Sequence, residues 1–124
     1  MKTARVLIVL GRPLFLAGGV VMHALGVAMA LSSGARLNLT ALLWGQIAIT
    51  AIQWMTHYSN DYFDLDADRA NATPTNWSGG SRVLITGLLS PRAALVIAVL
   101  LMGVAVIAAL VLAFGVNTGG LTLP

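Results

Sequence analysis

Cysteine and glutamate are absent from this chain, and four aspartates supply all of its side-chain negative charge. Without cysteine there is no disulfide framework, thiolate metal site or redox thiol, although the compartment is left open. Charged residues make up 9% of the 124 positions and hydrophobic ones 58%, at a mean hydropathy of +0.89. That balance excludes an ordinary soluble domain and describes a membrane protein. The net charge of +3 and pI near 10.2 do not make a nucleic-acid binder. The seven cations are scattered at the ends of apolar runs, as in loops that set membrane orientation, and not gathered on one face.

Read in order, residues 1–13 form a basic head carrying Lys2, Arg5 and Arg12. Residues 14–31 form a first apolar helix, long enough at about 1.5 Å per residue to cross roughly 27 Å of hydrocarbon. A signal peptide is the rival reading of this run. Its length and the two further spans that follow argue against cleavage. Gly18, Gly19 and Gly26 offer close helix packing on this span, and His23 reads as a packed polar residue. After a short turn holding Arg36, residues 39–58 form a second span, with its helix continuing to about residue 70. Residues 72–81 form a loop, broken by Pro74 and loosened by Ser78-Gly79-Gly80-Ser81. Residues 93–114 form the third span, and 115–124 a polar, Gly-rich end. The expected fold is all-α, a polytopic membrane helical bundle. Lys2, Arg5, Arg12, Arg69, Arg82 and Arg92 fall on one side of it, and Arg36 alone on the other. This asymmetry predicts a cytoplasmic N-terminus and a cytoplasmic aspartate loop. The Asn-x-Ser/Thr sites at Asn71 and Asn76 would then face the wrong side for glycosylation.

The acids all lie in Asn60-Asp61-Tyr62-Phe63-Asp64-Leu65-Asp66-Ala67-Asp68. On a helix Asp61, Asp64 and Asp68 stand at i, i+3 and i+7 and share a face, whereas Asp66 points about 180° from His57. Extended backwards through His57, Gln53, Thr50 and Gln46, the stripe falls within a wedge of roughly 80°. It predicts the wall of an interior cavity with a divalent-cation site at its mouth, the alternative for its amides and hydroxyl being plain interhelical hydrogen bonding. Like charges on adjacent turns repel unless a cation sits among them. Oxygen ligands without cysteine suit a hard cation such as Mg²⁺, bound through one or two carboxylates, waters and phosphates. Arg82, just after Gly79-Gly80, suits a phosphate clamp beside it, with a merely flexible loop as the alternative. A solvated, solubilising cap is the bland reading of the aspartates. One-sided spacing and the lack of acids elsewhere argue against it.

Asn60-Asp61-x-x-Asp64-x-x-x-Asp68 resembles the first aspartate-rich motif, NDxxDxxxD, of the UbiA superfamily of intramembrane prenyltransferases, which lies at the cytoplasmic end of the second transmembrane helix. Gly80-Ser81-Arg82-Val83-Leu84, Gly87-Leu88-Leu89-Ser90-Pro91 and Arg12-Pro13 resemble most the MenA-type branch, the 1,4-dihydroxy-2-naphthoate polyprenyltransferases. The resemblance implies that Asp61, Asp64 and Asp68, with Asn60 assisting, hold Mg²⁺ and through it the diphosphate of a polyprenyl donor. Arg82 would neutralise the leaving diphosphate, and an aromatic acceptor would capture the allylic cation. Gln53 and His57 would line the substrate cavity, with menaquinone-type quinone biosynthesis as the pathway. The family is built of about nine helices and has a second aspartate-rich motif. Three spans and no acid after Asp68 therefore predict an N-terminal part of the domain over residues 1–124, inactive without the remaining C-terminal helices.

Two other classes remain in view. The CDP-alcohol phosphotransferases also place aspartates at a membrane edge, but Asp68-Arg69-Ala70 lacks the glycine and spacing of their DGxxAR opening. A small cation-binding or transport subunit would bind Mg²⁺ or Mn²⁺ without any dependence on prenyl diphosphate.

Overall fold

The computed structural model describes residues 3–75 and 80–116, all helix, turn or loop with no strand among them. Lys2, Asn76, Gly79 and the segment 117–124 lie outside the described residues. Five helices follow in order: α1 Thr3–Leu10, α2 Pro13–Ser32, α3 Leu39–Phe63, α4 Leu65–Ala70 and α5 Pro91–Leu110. The last runs into a π-helical turn, Val111–Gly115. The bundle is all-α, as the composition predicts.

Local chemistry sets most boundaries. Pro13 and Pro91 open α2 and α5, where a missing N–H removes nothing the helix would use. Asn38 accepts from the Ala41 N–H at 3.0 Å, and Ser90 from the Ala93 N–H at 3.2 Å, so α3 and α5 start on side-chain caps. At its far end α2 stops on Gly34, at φ 89°. The Gly34 N–H reaches Leu31 O and the Ala35 N–H reaches Ala30 O, both at 3.0 Å, satisfying the last carbonyls.

Three differences from the sequence expectation bear on the site. The basic head is not a plain leader, because residues 3–10 form α1 and bury Val6 and Leu10. The helix expected over residues 39–70 breaks at Asp64, which closes α3 and opens α4. The glycines expected to pack α2 do so only at Gly19, which meets Gln53; Gly18 and Gly26 face open space. Close packing comes instead from α5, where Ala94, Ala98, Ala105 and Ala108 are all buried.

The buried core gathers Val6 and Leu10 of α1, Tyr58 of α3, Val83 and Leu84 of the connecting loop, and Ala94 and Ala98 of α5. It lies at the end of the bundle that carries the aspartates. Tyr58 fastens α1 to it by donating to Leu7 O at 2.9 Å. Among the described residues, α2 and the helix Pro91–Gly115 are long and apolar enough to cross a membrane. The 25-residue α3 spans roughly 37 Å. Its polar stripe keeps it below the same apolarity.

Candidate functional site

Asp61, in the last turn of α3, is the one buried charged side chain among the described residues, only 3% exposed. Removing a carboxylate from water is expensive unless its oxygens are paired and hydrogen-bonded. Both are. Arg12 Nη2 meets Oδ1 at 3.1 Å. The Ser81 N–H donates to Oδ2 at 3.0 Å, and the Ser81 hydroxyl donates to the same oxygen. Three separate segments thus close on one carboxylate: the α1–α2 joint, the end of α3, and the loop before α5.

The loop is shaped for this approach. Gly80 and Arg82 both take left-handed backbone conformations, with φ of 69° and 62°. At Gly80 a side chain would also collide with the Asp68 carboxylate, so glycine is required by conformation and by space. Arg82 turns back across the site and donates from Nη1 to the Asp68 carbonyl at 2.8 Å. Its guanidinium therefore stands beside α4 without being consumed by a carboxylate.

Asp68 is half-buried. Its carboxyl is held above the ordinary aspartate range, first by loss of water and then by the charges of Asp61 and Asp64, partly offset by Arg12 and Arg82. Asp61 and Asp64 thus both lie close enough to act on Asp68, although the break at Asp64 divides the three between two helices. Asp64 is exposed at the bend and Asn60 is exposed one residue before Asp61. Asp66 stands apart, 96% exposed, in a surface pair with Arg69 at 3.0 Å that contributes little. Among the described residues no three acidic or imidazole groups already surround one point. The donors are nevertheless hard oxygens at a charged helix end. They fit a cation such as Mg²⁺, which keeps waters and takes some of its ligands from substrate phosphates.

The lower stripe is an interhelical seam. His23 Nδ1 and Gln46 Oε1 are 2.9 Å apart, and Gln46 donates to Thr50 at 3.0 Å. Gln53 donates to Phe15 O at 3.2 Å, leaving its buried Oε1 without a partner. His57 sets its ring edge-on to Phe15, with centroids 5.7 Å apart. A hollow of about 260 Å³ between α3 and α5 touches Gln46, Thr50 and Trp54. A larger one, about 890 Å³, lies at the opposite end, lined by residues including His23, Leu31, Arg36 and Phe114. Neither reaches Asp61, Asp64 or Asp68. Nor is either lined by Gln53 or His57, against which α2 sets Phe15.

Sequence reasoning missed Arg12 and Ser81 as partners of Asp61. The available signal was positional. Arg12 immediately precedes the first span and so reaches the membrane edge at which the second one ends.

The UbiA prenyltransferase family matches residues 20–124. This chain belongs to that family. No curated protein and no solved structure matches it. Members of the UbiA family are prenyltransferases, and they generally use Mg²⁺ through aspartate-rich motifs. The matched region includes α3, α4 and the Gly80–Arg82 turn.

Proposed function

We propose that the aspartate end of this UbiA-family chain binds the diphosphate of a polyprenyl donor, for transfer of its prenyl group to an aromatic acceptor. The convergence of Asp61, Asp68, Gly80 and Arg82 at one end of α3 carries this reading. Asp61, Asp64 and Asp68 would hold Mg²⁺, with Asn60 assisting from the preceding position. Bound there, the ion supplies positive charge against the departing diphosphate.

Arg82 has the second role. Its fork of N–H donors, beside Asp68, meets diphosphate oxygens and stabilises the charge that grows on them. The allylic C–O bond breaks and its electron pair leaves with the diphosphate. A ring carbon of the acceptor captures the cation, and the ring then loses a proton. His57 and Gln53 lie one and two turns below Asp61, at the height where an allylic carbon would follow its diphosphate. The glycine-rich turns and Arg12-Pro13 favour the MenA-type branch, with quinone biosynthesis as the pathway.

The membrane arrangement belongs to the same proposal. Each of α2, α3 and α5 crosses the inner or plasma membrane. The asymmetry of cations along the sequence, six on the aspartate side of the spans against Arg36 alone, puts that end and the N-terminus in the cytoplasm, where a soluble diphosphate head group is met.

Calorimetric titration of the detergent-solubilised chain with Mg²⁺, with and without geranyl diphosphate, tests the reading. The prenyl diphosphate should tighten Mg²⁺ binding, and Asp64→Asn should abolish the effect. Mg²⁺ binding of equal strength in both titrations would point instead to a cation-binding subunit.

A further inference from the structure

We infer that Arg12 is a place-holding cation: it pairs with Asp61 while no divalent ion is bound, and yields that carboxylate when one arrives. Thus released, its guanidinium serves the anion that accompanies the ion. The inference rests on the reading of the aspartates as a divalent-cation site.

The geometry of the pair carries it. Asp61 is almost wholly buried, so its charge requires a cation at all times. Arg12 supplies one, but through a single contact, Nη2 to Oδ1 at 3.1 Å. A permanent structural clamp between arginine and carboxylate is commonly bidentate. Here the second carboxylate oxygen is occupied by Ser81, which contributes no charge. Ser81 therefore fixes where Asp61 points, whereas Arg12 only balances it. The Arg12 side chain remains 26% exposed, so one face of it is open to exchange.

The backbone at Arg12 fits the same role. It sits at φ 48°, ψ 71°, in the left-handed region, between two helices and without a side-chain cap for α2. A non-glycine residue rarely rests there unless its surroundings hold it. Asp61 lies 49 positions away in sequence and supplies part of that hold. Exchange at Asp61 thus releases a residue already standing at a joint. Arg12 also acts on Asp68 electrostatically, so the freed charge remains within reach of the whole acidic end.

Mn²⁺ binding followed by electron paramagnetic resonance tests this on the full chain in detergent, with inorganic pyrophosphate as the anion. Arg12→Gln should bind Mn²⁺ about tenfold more tightly than wild type without pyrophosphate, a size ordinary for coupled sites. Pyrophosphate should then improve Mn²⁺ binding less in the variant than in wild type. Equal or weaker Mn²⁺ binding by Arg12→Gln, with wild type binding normally, would overturn the inference alone. Absence of Mn²⁺ binding in both proteins would bring down the metal-site reading and this inference with it. Because Arg12→Gln leaves a buried charge, wild-type protein provides a second measurement. Arginine side-chain NMR should show the Arg12 guanidinium rotating and exchanging faster once Mg²⁺ is added. An unchanged Arg12 signal at saturating Mg²⁺ would count against release.

Discussion

Helices α2 and α5 are equal in length, 20 residues each, both open on proline, and both are predominantly apolar. Yet α5 buries four alanines and α2 buries nothing. The difference shows what apolarity does in a bilayer. Leucine and valine lose nothing by facing lipid tails, so they give a helix no reason to choose a neighbour. The alanines of α5 recur at steps of four, seven and three, which puts them on one face where backbones approach closely. Lacking such a face, α2 is joined to α3 by His23–Gln46, by Gln53 on Phe15 O, and by the Phe15–His57 ring contact. One helix is held by shape and the other by polar contacts.

The most damaging test fills the α5 seam. Ala98→Leu should cost about 1–3 kcal/mol, as overpacking does, whereas Val21→Leu on the exposed face of α2 should stay within about 0.5 kcal/mol. Unfolding in a graded detergent series reads both, and equal losses would break the contrast. Next comes the single close approach on α2. Gly19→Ala drives a methyl into Gln53 and should lower stability, while Gly18→Ala, in open space, should gain up to about 1 kcal/mol from helix propensity. A double-mutant cycle over His23→Leu and Gln46→Leu should give a coupling of about 0.6 kcal/mol, and no more than about 2. Zero coupling would remove the polar account of α2.

The smallest effect follows the polar stripe to its charged end. The Asp68 carboxyl is held above its ordinary range, so folding disfavours its ionised form. The penalty is present above the raised value and is gone below the unfolded value of about 3.9. In a chelator, Asp68→Asn should therefore melt slightly above wild type at neutral pH. The two melting curves should converge as pH falls through that window. A constant gap across pH would assign the gain to packing.

Periodicity and punctuation made much of this legible beforehand. Apolar runs located α2 and α5, while prolines and glycines marked the turns. The i, i+3, i+7 spacing set Asp61, Asp64 and Asp68 on one helical face, but it gave no sign of the break at Asp64 that divides them between α3 and α4. Less visible were features decided across distance. Val6 and Leu10 read as part of a basic leader because their partners, Tyr58 and Val83, lie far along the chain. The Arg12–Asp61 pair spans 49 positions, so no local pattern announces it. The glycines of α2 offered close packing on sequence, and the alanines of α5 went unread, because composition names small residues without saying which face meets a neighbour.

The wide turn at Val111–Gly115 makes the foot of α5 unusually tolerant of losing one residue. A π turn accommodates one residue more than an α turn in the same rise. Deleting Leu112 would let ordinary α geometry return with little change in the direction of later positions, because the residue lost is the one the wide turn absorbs. Val116, now turned inward, would keep its face, whereas a deletion within the regular part of α5 would swing every later position by roughly 100°.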